Sequence, residues 1–268
     1  MTDPTLAAPD WQVHAVRYAT YPTTRSAELL RFAEYGEPDG PMICDFYLWV
    51  VRSAEQVILF DTGYTRAAGD RLGVAWLSGV PEALADLDLG PDDVTTVVHS
   101  HLHSDHVGNH ELLSGAQVRM RREEWEFWTS PMAERALFRR FTDADQMAAL
   151  ERVRREGRLV LDEEEVEVAP GVRTVALPGH TPGSQGLLIE SGGRRVLLAS
   201  DAAHYYEELD DDRPFFIVDD LPRMYASFDR LRTAREDGVR VVAGHDPADL
   251  EAFERTRLRH GADLLRIL

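Results

Sequence analysis

The six residues His101-Leu102-His103-Ser104-Asp105-His106 constrain this chain more than any other segment, because they crowd four metal-competent side chains into one short stretch. They follow Thr95-Thr96-Val97-Val98, a β-branched run that reads as a buried strand, so the group emerges on a loop where that strand ends. Alternation sends His101 and His103 to the same side, and the turn that follows brings Asp105 and His106 to a neighbouring position. Imidazole nitrogen and carboxylate oxygen suit zinc and other borderline divalent cations. Three histidines and an aspartate are more than one open catalytic ion needs, which points to two.

Three later residues repeat the arrangement. His180 lies in Leu177-Pro178-Gly179-His180-Thr181-Pro182-Gly183, where a strand ends in a Gly/Pro-rich turn. Asp201 follows the apolar run Val196-Leu197-Leu198-Ala199-Ser200, and His245 follows Val241-Val242-Ala243-Gly244. Each is a possible ligand standing where a buried strand stops.

The rest of the chain supplies strands and helices in two runs. Trp11–Tyr18, Met42–Val51, Gln56–Phe60, Thr95–Val98 and Ala116–Met120 read as strands, and a polar stretch reaches to about Gly40. Pro81–Ala85, Glu123–Trp128 and Met147–Glu156 read as helices, Pro81 standing where a missing N–H costs little. The back half returns to strands at 158–161, 166–168, 172–177, 186–189, 194–199 and 239–243, with helices expected over 221–236 and 247–268. No linker divides the halves. This order suits two sheets packed face to face with helices outside, one domain over 1–268.

The series Asp61-Thr62-Gly63, His101-x-His103-x-Asp105-His106, Pro178–Gly183, Ser200-Asp201 and Gly244-His245 resembles the metallo-β-lactamase superfamily, in order over residues 58–245. The resemblance implies an α/β fold, the four-layer αββα sandwich, with the metals at one edge between the sheets. It implies that His101, His103 and His180 hold a first ion, that Asp105, His106 and His245 hold a second, and that Asp201 bridges them together with a hydroxide. Two such cations acidify a shared water to a nucleophile at neutral pH. Asp61 resembles the family's aspartate that accepts a hydrogen bond from a ligand histidine and fixes its tautomer. Zinc is the expected ion; manganese, iron and cobalt accept the same ligands.

Within the superfamily, Cys44 is the lone cysteine and lies far from the motif, unlike the cysteine ligand of classical zinc β-lactamases. Motif placement and chain length resemble the quorum-quenching N-acyl homoserine lactonases, as do Leu59–Gly63 and Leu177–Gln185. The implied reaction is opening of a lactone ring by the bridging hydroxide, with Asp105 passing a proton to the leaving alkoxide. Those lactonases carry a tyrosine three residues after the bridging aspartate; here that place is His204, followed by Tyr205 and Tyr206. Either His204 or Tyr205 is expected to hydrogen-bond the substrate carbonyl. Ser104 replaces a bulky apolar residue common there. Thioester, phosphodiester or amide hydrolysis on the same ligands stays open, as does a non-catalytic metal-binding role.

Bulk properties prune partners. A net charge of −18 opposes polyanions, so a nucleic-acid partner is excluded and a small molecule is expected. All 29 basic Lys/Arg residues are arginine, so any anchor for a substrate carboxylate would be Arg. No apolar run of about eighteen residues marks a membrane span. Met1–Thr5 shows no secretory leader, and a lone buried strand thiol, Cys44, fits a reducing cytoplasm. A homodimer stays open. His99 reads equally as facing the site or as a surface residue, while His14, His110 and His260 read as structural or exposed. Trp125, Phe127 and Trp128 read as helix-to-sheet packing, and Glu207–Asp212 as a solvated acidic loop.

Overall fold

Period-two alternation along the strands builds the layers. In the computed structural model, which describes residues 9–90 and 92–268, the first strands are β1 (Gln12–Thr24), β2 (Pro41–Arg52), β3 (Val57–Phe60), β4 (Ala75–Trp76), β5 (Thr96–Val98), β6 (Gln117–Arg121) and β7 (Leu159–Asp162). The segment Met1–Thr5 lies outside the described residues. The next five are β8 (Glu167–Ala169), β9 (Val172–Ala176), β10 (Gln185–Ser191), β11 (Arg194–Ser200) and β12 (Arg240–Ala243), and β13 (Glu254–Arg257) and β14 (Asp263–Arg266) close the chain. One sheet has the order β13-β14-β1-β2-β3-β5-β6-β7 with β4 on β1; the other has β12-β11-β10-β9-β8.

Tyr47, Trp49 and Val51 of β2 face a core between the sheets, shared with Leu187, Val196 and Leu198 of the second sheet. Phe46, Leu48 and Val50, the intervening residues, face outward. The helices cover these outer faces: α1 (Arg25–Glu28), α2 (Arg66–Leu72), α3 (Val80–Ala85), α4 (Arg122–Trp128), α5 (Ala136–Arg139) and α6 (Ala144–Arg155) precede β7, and α7 (Tyr206–Asp211), α8 (Leu221–Glu236) and α9 (Asp249–Ala252) follow β11. Ala83, Trp125, Leu150 and Val153 pack on the first sheet, and Leu209, Met224, Phe228 and Leu231 on the second. The result is the αββα sandwich. Trp125 and Trp128 belong to that packing, as read.

Strand direction gathers the site. β3 and β5 are parallel, so Asp61 and the histidine loop leave the first sheet at one edge. β9 and β11 both run antiparallel to β10, and β12 runs parallel to β11, so His180, Asp201 and His245 leave the second sheet together.

Several expectations need correction. The segment 247–268 is not a helix. Only α9 is helical there, and β13–β14 form a hairpin through Gly261 (φ 103°), with β14 paired to β1. Pairing covers the edge that β1 would otherwise expose, and the charged, wholly exposed β13 guards the new edge. β1 also runs on to Thr24, well past Tyr18. The acidic run Glu207–Asp212 is not a solvated loop: most of it forms α7, Glu208 is fully buried, and Glu207 pairs with Arg25. No helix of the described residues is long and apolar enough to cross a membrane.

Candidate metal centre

The seven expected ligands converge at that shared edge. Their atoms form two groups, His101–His103–His180–Asp201 and Asp105–His106–Asp201–His245, within each of which every ligand atom lies within 4.8 Å of the others. Asp201 belongs to both, and its two oxygens divide the work. Oδ2 stands 3.4 Å from His180 Nε2 and 3.7 Å from His101 Nε2, while Oδ1 stands 3.1 Å from His245 Nε2 and 3.3 Å from His106 Nε2. Ligand atoms ~2.0–2.1 Å from a tetrahedral zinc are roughly 3.3 Å apart, so these spacings fit cations between the donors.

The remaining ring nitrogens fix the tautomers. His106 Nδ1 donates to Asp61 Oδ2 at 2.8 Å, His180 Nδ1 to the Ile217 carbonyl at 2.8 Å, and His245 Nδ1 to the Asp45 carbonyl at 2.7 Å. His101 Nδ1 lies 2.9 Å from Ser100 Oγ, whose hydroxyl donates to Asp61. These four rings therefore turn Nε2 inward, whereas His103 presents Nδ1, 2.9 Å from His180 Nε2. His101 Nε2 and His106 Nε2 are buried with no hydrogen-bond partner, an arrangement that costs free energy unless a cation occupies the gap. The donor set fits two divalent ions.

Electrostatics agree. Burial, with the neighbouring imidazoles, pushes His101 and His180 far below the ordinary range, and burial takes His103 down to about 4, leaving neutral rings ready to coordinate. His106 and His245 are raised despite burial, His106 by Asp105, Asp201 and Asp61, and His245 by Cys44 and Asp201. Metal ions displace such protons.

Asp61 and Ser200 both adopt left-handed backbone, at φ 62° and 47°, conformations that cost a serine more than a glycine and that recur at functional sites. Ser200 Oγ donates to Asp61 at 3.3 Å, tying the two strand ends together across the sheets. A Cβ on Gly244 would stand 2.8 Å from the Ser200 carbonyl and 3.1 Å from Asp201 Oδ1, so only glycine lets β12 end this close to the bridging aspartate.

His204 and Tyr205 part company. His204 is buried, stacks on Phe215 at 3.6 Å between centroids, and brings Nε2 to 3.0 Å from Asp201 Oδ2. Tyr205 turns away from the metal groups, its hydroxyl donating to Glu28 Oε2 at 3.2 Å. A cavity of about 530 Å³ opens beside the ligands, lined by His204, Asp105 and Ser104 and walled by Phe46, Phe141 and Phe215; Tyr205 does not line it.

His99 is buried rather than on the surface. Its Nε2 meets His110 Nε2 at 3.2 Å, and its Nδ1 lies 3.7 Å from Asp61. His110 is structural, His14 sits in β1, and His260 is exposed against Asp86, all as read.

Two buried carboxylates that no sequence motif marks hold the loops of the centre in place. Glu124 accepts from Leu102 N, Trp128 Nε1, Thr181 Oγ1 and Gly183 N, tying the loop of His101 and His103 to that of His180. Glu208 accepts from the amides of His204, Tyr205 and Phe215, which sets the His204–Phe215 stack. Neither has a local signature, because the donors come from distant segments.

The chain is 27% identical over 224 residues to the N-acyl homoserine lactonase AiiA of Bacillus thuringiensis subsp. kurstaki, spanning 75% of this chain and 80% of that one. Its fold is similar to a solved N-acyl homoserine lactone hydrolase with N-hexanoyl-L-homoserine bound at the catalytic metal centre, with TM-score 0.71, 21% identity and coverage of 95% and 99% of the two chains. It is likewise similar to AidC, a dizinc quorum-quenching lactonase, with TM-score 0.72, 16% identity and coverage of 97% and 95%. The family model of the metallo-beta-lactamase superfamily matches residues 47–245, from β2 to the last ligand, and the chain is therefore an enzyme of the metallo-beta-lactamase superfamily.

Proposed function

We propose that this enzyme opens lactone rings, with N-acyl homoserine lactones as the substrate class, on a pair of divalent cations of which zinc is the first choice. The observation that carries the reading is the division of Asp201, one oxygen toward each ligand group. The named activity of the relatives supports it. When bound, the cations supply Lewis acidity and lower the pKa of water.

The chain's own residues do the rest. His101, His103 and His180 bind on one side of Asp201, and Asp105, His106 and His245 on the other. His204, held in plane by Phe215 and Glu208, presents its ring at the cavity wall, where the Nε2–H beside Asp201 would be shared with the carbonyl oxygen as that oxygen gains charge. Tyr205 is committed to Glu28, which favours His204 over Tyr205 for that task. Against the cost of burial, His106 holds the Asp105 carboxyl down at about 2, so Asp105 is an anion at neutral pH, able to take a proton and return it to the departing alkoxide oxygen. Apolar walls from Phe46, Phe141 and Phe215 suit an acyl chain.

The test is a panel of lactones, thioesters and phosphodiesters assayed on protein of measured metal content. Lactones should be the preferred class, and Asp201→Asn should abolish turnover and lower metal occupancy. Full activity in that variant, or a preference for phosphodiesters, would overturn the reading.

A further inference from the structure

Four carboxylates line the cavity beside the ligands: Glu28, Asp105, Asp143 and Asp201. Asp105 and Asp201 belong to the ligand groups. Asp143 is paired with Arg71 and caps α6 through the amides of Asp145 and Gln146. Glu28 is different. It is only 6% exposed, yet its partners are two neutral hydroxyls: Thr23 Oγ1 donates to Oε1 at 2.8 Å and Tyr205 Oη to Oε2 at 3.2 Å. Among the described residues no arginine or histidine stands within ion-pair distance of it.

A buried carboxylate accepts up to about four hydrogen bonds and is costly to leave short of donors. Both hydroxyls already donate, so they hold Glu28 as an acceptor and fix its orientation. A residue of this kind on a cavity wall suits a ligand that brings an N–H. We propose that Glu28 is a specificity-determining residue that accepts a hydrogen bond from a nitrogen donor on the substrate, selecting lactones that carry an N–H over plain alkyl lactones. Tyr205 then acts as a positioning residue for Glu28, which accounts for its turning away from the metal groups. The inference rests on the lactonase reading and names which feature of the substrate the site selects.

Three γ-butyrolactones test it, bearing beside the ring carbonyl an acylamino group, a free amino group or an alkyl chain. Glu28→Leu should raise KM for the acylamino lactone about two- to tenfold, the worth of one hydrogen bond, with kcat little changed and the alkyl lactone unaffected. Tyr205→Phe should move KM the same way by less. A loss confined to the amino lactone would assign the donor as an ammonium rather than an amide. An equal change across all three lactones, or none, would overturn the proposal and leave Glu28 a structural residue. If Glu28→Leu fails to fold, Glu28→Met, which likewise offers no oxygen acceptor, must show the same ranking. Calorimetric titration of ring-opened N-acyl homoserine against a 4-hydroxyalkanoate of equal length needs no turnover. Wild type should prefer the former and the variant should not, and an unchanged preference overturns the proposal. Failure of wild type to open any ring strikes the lactonase reading alone, since the titration still decides Glu28.

Discussion

Replacing Glu124 by glutamine should loosen one half of the metal centre while leaving the chain folded. The wild-type carboxylate accepts at 2.6–2.9 Å from four donors, two on each oxygen: Leu102 N and Trp128 Nε1, then Thr181 Oγ1 and Gly183 N. An amide keeps one accepting oxygen and must turn its NH₂ toward two of these donors. The Thr181 hydroxyl can rotate to accept, but the Gly183 N–H cannot. The best orientation therefore loses one bond to a charged acceptor, worth about 1.5–3 kcal/mol, and strands a buried N–H at a further ~1–3 kcal/mol. Against this, burial pushes the Glu124 carboxyl up to about 7 despite its donors, so removing the charge recovers up to about 3 kcal/mol. The balance runs from about even to a loss of about 3 kcal/mol, or up to roughly 10 °C in Tm for a chain of this size. The metal effect should be sharper than the melting effect, because Leu102 sits between His101 and His103, and Thr181 adjoins His180. Metal analysis after dialysis should show the variant retaining about one ion where wild type retains two, with circular dichroism unchanged. A variant with wild-type metal content and wild-type Tm would refute the clamp.

Asp61→Asn removes the charge on the acceptor that orients His106 directly and His101 only through Ser100, and should weaken the second ion about ten- to a hundredfold by competition with a chromogenic chelator, with a smaller loss at the first; equal loss of both would contradict the division. Burial pushes the Asp249 carboxyl up to about 7, so between about pH 4 and 7 the folded chain holds a proton that the unfolded chain has released, and stability falls as pH rises through that window. Asp249→Asn keeps an acceptor for the Tyr206 hydroxyl and should flatten that fall, melting a few degrees above wild type at pH 8 and level with it near pH 4; a lower Tm at pH 8 would contradict the sign.

The metal ligands were legible because each follows an apolar run, and a strand's end is marked by the composition of the strand itself. His180, Asp201 and His245 needed no knowledge of partners. The sandwich was legible for the same reason, since strands such as β2 and β11 bury both faces and demand a layer on each side. The β13–β14 hairpin was not. Its first strand is charged and exposed, and its second is specified by β1, some 250 residues earlier, which no local periodicity reveals. Glu28, Glu124 and Glu208 were hidden for a related reason: a carboxylate is buried by the donors that tertiary structure brings to it, and in sequence each reads as a surface residue. The choice between His204 and Tyr205 likewise depended on Phe215 and Glu28, one beyond α7 and the other near the start of the chain.

Anomalous diffraction from crystals of the metal-loaded enzyme tests the central arrangement most directly. Two peaks are predicted, one among His101, His103 and His180 and one among Asp105, His106 and His245, each contacting a different oxygen of Asp201. A single peak, or Asp201 turned wholly toward one ion, would contradict the account.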